Sequence, residues 1–276
     1  MKNNNLWLWG YVINKFPELV SSVPFPTWCS LETAARFLGC DNVLCMNSCF
    51  EPDKLDDEQV MSRLDGFREV MLPLSHIPHG EKGDIWELKY KETGVKIAEM
   101  SLKDPRITSV IIDDFRDPPG PTKDMKAEEL AEIYNAIKKI NPKLKLVLVT
   151  YNWQGGFLDD VVDYFDVVSY WNFAPDKMYW DFNWDHEIAL LRQKYKKEIF
   201  QGIYLHDYSS TSCAPIPVDV YKVMLPRIFN ALRDEKINGV MLLQNGWLTR
   251  EDHREGITFI RNYIDYYLKT NTWLER

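Results

Sequence analysis

The 276-residue chain carries 33 Lys and Arg against 41 Asp and Glu, a formal charge of -8, with 45% hydrophobic and 13% aromatic residues. This balance describes one large globular domain over residues 1–276 and excludes a disordered or fibrous chain. The acidic total and the lack of a long Lys/Arg run argue against DNA or RNA as a partner. No apolar run reaches the length of a membrane span, so no membrane-crossing segment is expected.

The opening Met1-Lys2-Asn3-Asn4-Asn5 lacks the basic, apolar and small-residue layout of a signal peptide. A secreted or periplasmic chain already trimmed of its leader is also compatible, and the compartment stays open. The five cysteines, Cys29, Cys40, Cys45, Cys49 and Cys213, are odd in number and form no C-x-x-C pair. They are expected to be buried thiols, without a disulfide framework or a structural zinc site.

Taken in chain order, eight apolar runs of strand length alternate with amphipathic segments, the number a single (β/α)8 TIM barrel requires. The strands are expected near Leu6 to Val12, Asn42 to Asn47, Glu69 to Leu74, Ile107 to Asp113, Leu144 to Thr150, Phe165 to Tyr170, Ile199 to Leu205 and Asn238 to Leu243. Between the fourth and fifth, Leu130, Ile133, Tyr134, Ile137 and Ile140 recur at helical spacing, and Asn141-Pro142 stops that helix. Asp185 is expected to cap a helix containing Glu187. Pro226 should kink a helix over Val218 to Asp234, and Ile257, Ile260, Ile264 and Leu268 mark the last helix. The longest loops are expected at Ile77 to Thr93 and Ser209 to Pro217.

Reactive groups of such barrels lie just past the C-terminal ends of the strands. Here those positions hold Trp9, Asn47, Ser75-His76, Asp113-Asp114, Tyr151-Asn152-Trp153, Tyr170-Trp171-Asn172, Tyr204 with His206-Asp207-Tyr208, and Gln244-Asn245-Gly246-Trp247. Rings that stack on sugar faces stand beside amides and acids that bond hydroxyls, the combination of a carbohydrate pocket. The substrate contacts expected are Trp9, Asn47, His76, Tyr151, Tyr170, Trp171, Asn172, Tyr204, His206, Asp207, Gln244, Asn245 and Trp247. Amphipathic rings also settle at strand ends because their bodies favour the core and their tips favour water.

Asp113 and Asp114 close the apolar run Ile107-Thr108-Ser109-Val110-Ile111-Ile112. Glycosidic cleavage needs an acid for the leaving oxygen and a second group for the positive anomeric carbon, and two carboxyls supply both. Successive strand side chains point to opposite faces, so the pair shares a site only if the chain bends there. Asp117, Pro118, Pro119 and Gly120 favour such a break. If the acids converge, their repulsion holds one proton on the pair above the ordinary carboxyl range, with Asp114 as the expected holder.

Val110-Ile111-Ile112-Asp113-Asp114-Phe115 resembles the strand-four signature of glycoside hydrolase family 84, the O-GlcNAcase type. Phe165 to Asn172 and Gly239 to Leu243 resemble the sixth and eighth strands of the wider chitinase-like group. Leu243 stands where that group commonly has Trp, and the longer D-x-x-D-x-D-x-E signature is absent. The resemblance implies that Asp113 orients and polarises the substrate's acetamido group, that Asp114 acts as general acid and then base, and that Tyr170 bonds the acetamido oxygen.

Three rival readings accompany this one. Asp207 as a separate nucleophile would give a conventional two-carboxylate glycosidase, although strand parity sends Tyr204 and His206 to one side and Asp207 to the other. A barrel that binds glycans without turnover is the second. A metal hydrolase built on His76, His79 and His206 is the third, but neither an H-x-H after strand one nor an H-E-x-x-H occurs. No metal and no organic cofactor are therefore expected. Ser48, Ser75 and Cys213 form no nucleophile motif, and no Gly-rich phosphate loop opens a helix. The expected activity is hydrolysis of an N-acetylhexosaminide.

Overall fold

The computed structural model describes residues 5–10, 29–46, 61, 64–74, 89–117, 122–151, 156–173, 176–209 and 214–270. Eight parallel strands pair in chain order: β1 (Leu6–Gly10), β2 (Asn42–Cys45), β3 (Glu69–Pro73), β4 (Ile107–Ile112), β5 (Lys145–Tyr151), β6 (Val167–Trp171), β7 (Glu198–Tyr204) and β8 (Gly239–Leu243). β8 closes on β1 through the register Leu6↔Val240 to Trp9↔Leu243. The expected (β/α)8 barrel is the observed fold. These strands read as continuous apolar runs because helices cover their outer face and packed side chains fill the inside.

The outer layer contains α1 (Leu31–Leu38), α2 (Tyr90–Lys103), α3 (Ala127–Ile140), α4 (Trp184–Tyr195), α5 (Val218–Arg233) and α6 (Arg254–Lys269). The Ser30 hydroxyl caps α1 by accepting from the Thr33 N–H at 3.2 Å, and Gly39, at φ 72°, ends it in the left-handed region. On α3, Leu130, Ile133 and Ile137 are buried and Asn141 stops the helix, as the stripe predicts. Burying such side chains contributes about 1.5–3 kcal/mol each, more than a cap worth about 1 kcal/mol. Packing therefore holds α3 in place.

Two local expectations change. Asp185 does not cap α4, because the chain already turns helically through Tyr179–Asn183 and the Asp185 carboxylate accepts from Arg227 at 2.9 Å. Strand four ends at Ile112 rather than Asp113. Pro226 lies inside α5, which runs as one helix. Cys29, Cys40 and Cys45 are buried thiols, with Cys29 pushed up to about 11 by burial. Cys49, Cys213, residues 11 and 12 of the expected first strand and most of the loop from Ile77 lie outside the described residues.

Inside the barrel, aromatic rings stack in layers that lead to the C-terminal mouth. The Trp7 and Phe200 rings are 5.6 Å apart, Trp9 meets Trp171 edge to face at 5.3 Å, and Trp171 lies 4.8 Å from Tyr204. Gly202 makes room for this packing: a Cβ there would fall 2.0 Å from the Trp171 ring. The Trp171 indole N–H is satisfied by the Ser169 hydroxyl at 2.8 Å, two residues earlier on the same face.

Candidate active site

At the end of β4 the backbone leaves the extended region, and Asp114 sits at φ 46°. Asp is among the few non-glycine residues that enter the left-handed region readily. The turn is tied down from three sides. The Asp114 carbonyl accepts from the Thr122 hydroxyl at 2.8 Å and the Asp117 N–H at 3.1 Å, while the Thr122 hydroxyl accepts from the Arg116 N–H at 2.8 Å. The Arg116 guanidinium, itself at φ 57°, bonds the Met125 carbonyl at 2.8 Å and grips Asp160 at 2.8 and 2.9 Å. The bend expected from strand parity is therefore present at Asp114, four positions before Pro118, and Pro118 to Gly120 lie outside the described residues.

The bend brings both carboxyls to one cavity of about 150 Å³ at the barrel mouth. Trp9, Val149, Tyr151 and Trp171 line it together with Phe173, Tyr204, Tyr208, Leu243 and Gln244. The Leu243–Gln244 peptide bond is cis. Phe173 stacks on Tyr151 at 4.6 Å and on Tyr204 at 5.5 Å, so a continuous aromatic wall faces the acids.

Burial pushes the Asp113 carboxyl well above the usual range, and the neighbouring Asp114 charge pushes it further. The Asp114 N–H donates to Asp113 Oδ1 at 3.0 Å and offsets part of this. Burial also raises Asp114, against which the Tyr151 hydroxyl donates to Asp114 Oδ1 and favours its ionised form. Burial thus raises both acids, and the pair keeps a proton above the ordinary carboxyl range. Tyr204 and Tyr151 stay protonated, pushed up first by burial.

Among the expected substrate contacts, Trp9, Tyr151, Trp171, Tyr204 and Gln244 line the cavity. Tyr170 does not. Its neighbour Trp171 points inward, so Tyr170 points out against α4, where its hydroxyl donates to Glu187 Oε2. Asn172 is buried away from the cavity lining, and Asn245 is fully buried with its amide bonded to the Cys29 carbonyl at 2.9 Å. Asp207 turns into its own loop, accepting from the Ser209 N–H at 2.9 Å and its hydroxyl at 2.5 Å. His206 and Trp247 stack on each other behind the cavity wall, at 3.8 Å and 7°. Asn47 and His76 lie outside the described residues.

Two further wall residues are Phe173, which the strand-end reading did not name, and Tyr208, which it named after strand seven but not among the substrate contacts. Parity could have found them, since Phe173 is two residues past Trp171 and Tyr208 is four past Tyr204. Among the described residues no group of three or more His, Cys, Asp or Glu converges to hold a metal ion. No described helix is long and apolar enough to cross a membrane.

No protein-family model and no curated protein matches this chain. Solved structures do match. A Bacteroides thetaiotaomicron protein provisionally assigned as an α-L-fucosidase aligns over 96% of this chain and 94% of its own, with TM-score 0.63 and 14% identity. A family GH128 endo-β-1,3-glucanase from Amycolatopsis mediterranei, in complex with laminaritriose and laminaribiose, aligns over 87% of this chain and 97% of its own, with TM-score 0.56 and 9% identity. The xylanase-α-amylase inhibitor protein XAIP-I, in complex with trehalose, aligns over 96% and 98%, with TM-score 0.55 and 14% identity. At these identities the likeness establishes a shared barrel fold, and none of the three is described as a family 84 or chitinase-type enzyme.

Proposed function

We propose that this protein is a glycoside hydrolase acting on N-acetylhexosaminides, with the substrate's acetamido group as nucleophile. The observation that carries the reading is the left-handed turn at Asp114, which puts two adjacent carboxyls of raised proton affinity into one aromatic-walled cavity. Glycosidases on this fold, among them the glucanase described above, make the class plausible on fold-level analogy.

In this mechanism the acetamido N–H donates to Asp113. Such a bond favours the ionised form of Asp113 and leaves the shared proton to Asp114. The acetamido oxygen attacks the anomeric carbon while the bond to the leaving oxygen breaks and Asp114 protonates that oxygen. Asp113 stabilises the positive charge on the resulting oxazolinium ring. Asp114, now ionised, takes a proton from water as the water oxygen adds to the anomeric carbon and the ring opens. Trp171, Trp9 and Tyr204 supply stacking surface and a hydroxyl for the sugar.

The turned-away Asp207 argues against the two-carboxylate alternative, since no third acid lines the described cavity. A glycan-binding barrel without turnover is the second reading, favoured by the inhibitor protein that carries trehalose on a similar fold. The deciding experiment compares aryl N-acetylhexosaminides with their N-trifluoroacetyl analogues. Fluorination weakens the acyl oxygen as a nucleophile, so a steep fall in kcat supports substrate assistance. Equal rates would reject it, and binding without turnover on any substrate would select the binding barrel.

A further inference from the structure

A polar chain runs from the exposed Asp252 through the buried His253, His206 and Trp247 to one wall of the cavity. Asp252, on the turn before α6, accepts from Arg250 at 2.6 Å and bonds His253 Nδ1 at 2.8 Å. His253 Nε2 and His206 Nδ1 share a hydrogen bond of 2.9 Å. Both imidazoles stack on Trp247, His206 at 3.8 Å and 7° and His253 at 4.9 Å and 17°. The Trp247 indole N–H then bonds the Tyr208 hydroxyl at 2.8 Å, and Tyr208 faces the cavity 5.1 Å from Tyr204.

We propose that Tyr208 is a specificity-determining residue that donates its hydroxyl proton to one oxygen of the bound sugar, and that Trp247, His206, His253 and Asp252 are positioning residues that fix its direction. This rests on the reading of the cavity as a sugar site. Indole N–H is a donor only, so at 2.8 Å the Tyr208 oxygen must accept from it. The phenol proton is thereby directed away from Trp247. Ring packing alone would need no imidazoles, and burying His206 and His253, 5% and 1% exposed, is costly unless they are bonded to each other. Their hydrogen bond and the near-parallel stack set the Trp247 plane, and that plane sets where its N–H points. Burial and the His253 ring lower His206 to about 4, so it stays uncharged in the stack at neutral pH.

The test uses Tyr208→Phe, which removes only the hydroxyl, and Trp247→Phe, which keeps an aromatic ring but loses the N–H together with one ring of the indole. Calorimetry measures binding of a methyl N-acetylhexosaminide and its 3-, 4- and 6-deoxy analogues to each variant and the wild type. Tyr208→Phe should weaken the parent sugar about tenfold, the scale of one lost hydrogen bond, yet bind one deoxy analogue as the wild type does. Trp247→Phe should show the same analogue preference at smaller amplitude. Wild-type ratios across the series in Tyr208→Phe, or an equal loss for every analogue, would overturn the proposal, and this holds even if Trp247→Phe fails to fold. If the wild type binds a different glycoside class, the substrate reading fails and the deoxy series of that class judges Tyr208 in the same way. A wild type that binds no glycoside overturns both.

Discussion

The Tyr151 hydroxyl donates to Oδ1 of Asp114 and thereby joins the end of β5 to the turn that follows β4. The bond favours the ionised form of Asp114 and works against burial, which favours the protonated form. Tyr151→Phe should therefore raise the Asp114 pKa further. In a profile of kcat/KM against pH, the alkaline limb that reports loss of the general acid should move to higher pH. An unmoved or lowered limb would separate Tyr151 from the acid.

The raised pKa of Asp113 predicts that its ionised carboxylate lowers the stability of the fold. Its folded pKa is raised, so its protonated form costs nothing below the ordinary carboxyl pKa, and stability is lost as pH rises through the folded value. Asp113→Asn should stabilise the protein at pH 7, a gain that vanishes once pH falls below the ordinary carboxyl range of about 4. Urea melts at both pH values check this, and a variant destabilised at pH 7 contradicts it.

Tyr170→Phe should leave sugar binding unchanged. It should lower stability by roughly 1–2 kcal/mol, because the lost hydroxyl bonds Glu187 and helps fasten α4 to β6. Thermal melts and binding isotherms on the same preparation separate the two effects. A selective loss of affinity would place Tyr170 in the site after all.

Tyr90, 5% exposed at the start of α2, has a buried hydroxyl with no hydrogen-bond partner among the described residues. Leaving such a group unsatisfied costs about 1–3 kcal/mol. Tyr90→Phe should accordingly be stabilising, with a higher urea midpoint and an unchanged slope. A lower midpoint would mean that the hydroxyl does have a partner in solution.

The barrel was legible because strands buried on both faces leave apolar runs that survive uncertainty at their ends. The acid pair was legible because two carboxylates ending such a run need a reason. Which of two adjacent rings faces inward was harder to read. Tyr170 and Trp171 are equally aromatic, and only counting alternate positions outward from the small Ser169 puts Trp171 inside. The same alternation would have retained Tyr208 and Phe173 and set aside Asp207 and Asn172. His253 was beyond reach, because its contact with His206 joins positions 47 residues apart, one past β7 and the other past β8.

The central claim is that Asp113 and Asp114 are catalytic with divided roles, and rates on N-acetylhexosaminides of graded leaving-group acidity test it most directly. Asp114→Asn should slow substrates with poor leaving groups far more than activated aryl glycosides, since a good leaving group scarcely needs a proton. Asp113→Asn should slow both kinds alike, because the acetamido nucleophile must be polarised whatever departs. Wild-type rates across the series in both folded variants would contradict the claim that this pair does the chemistry.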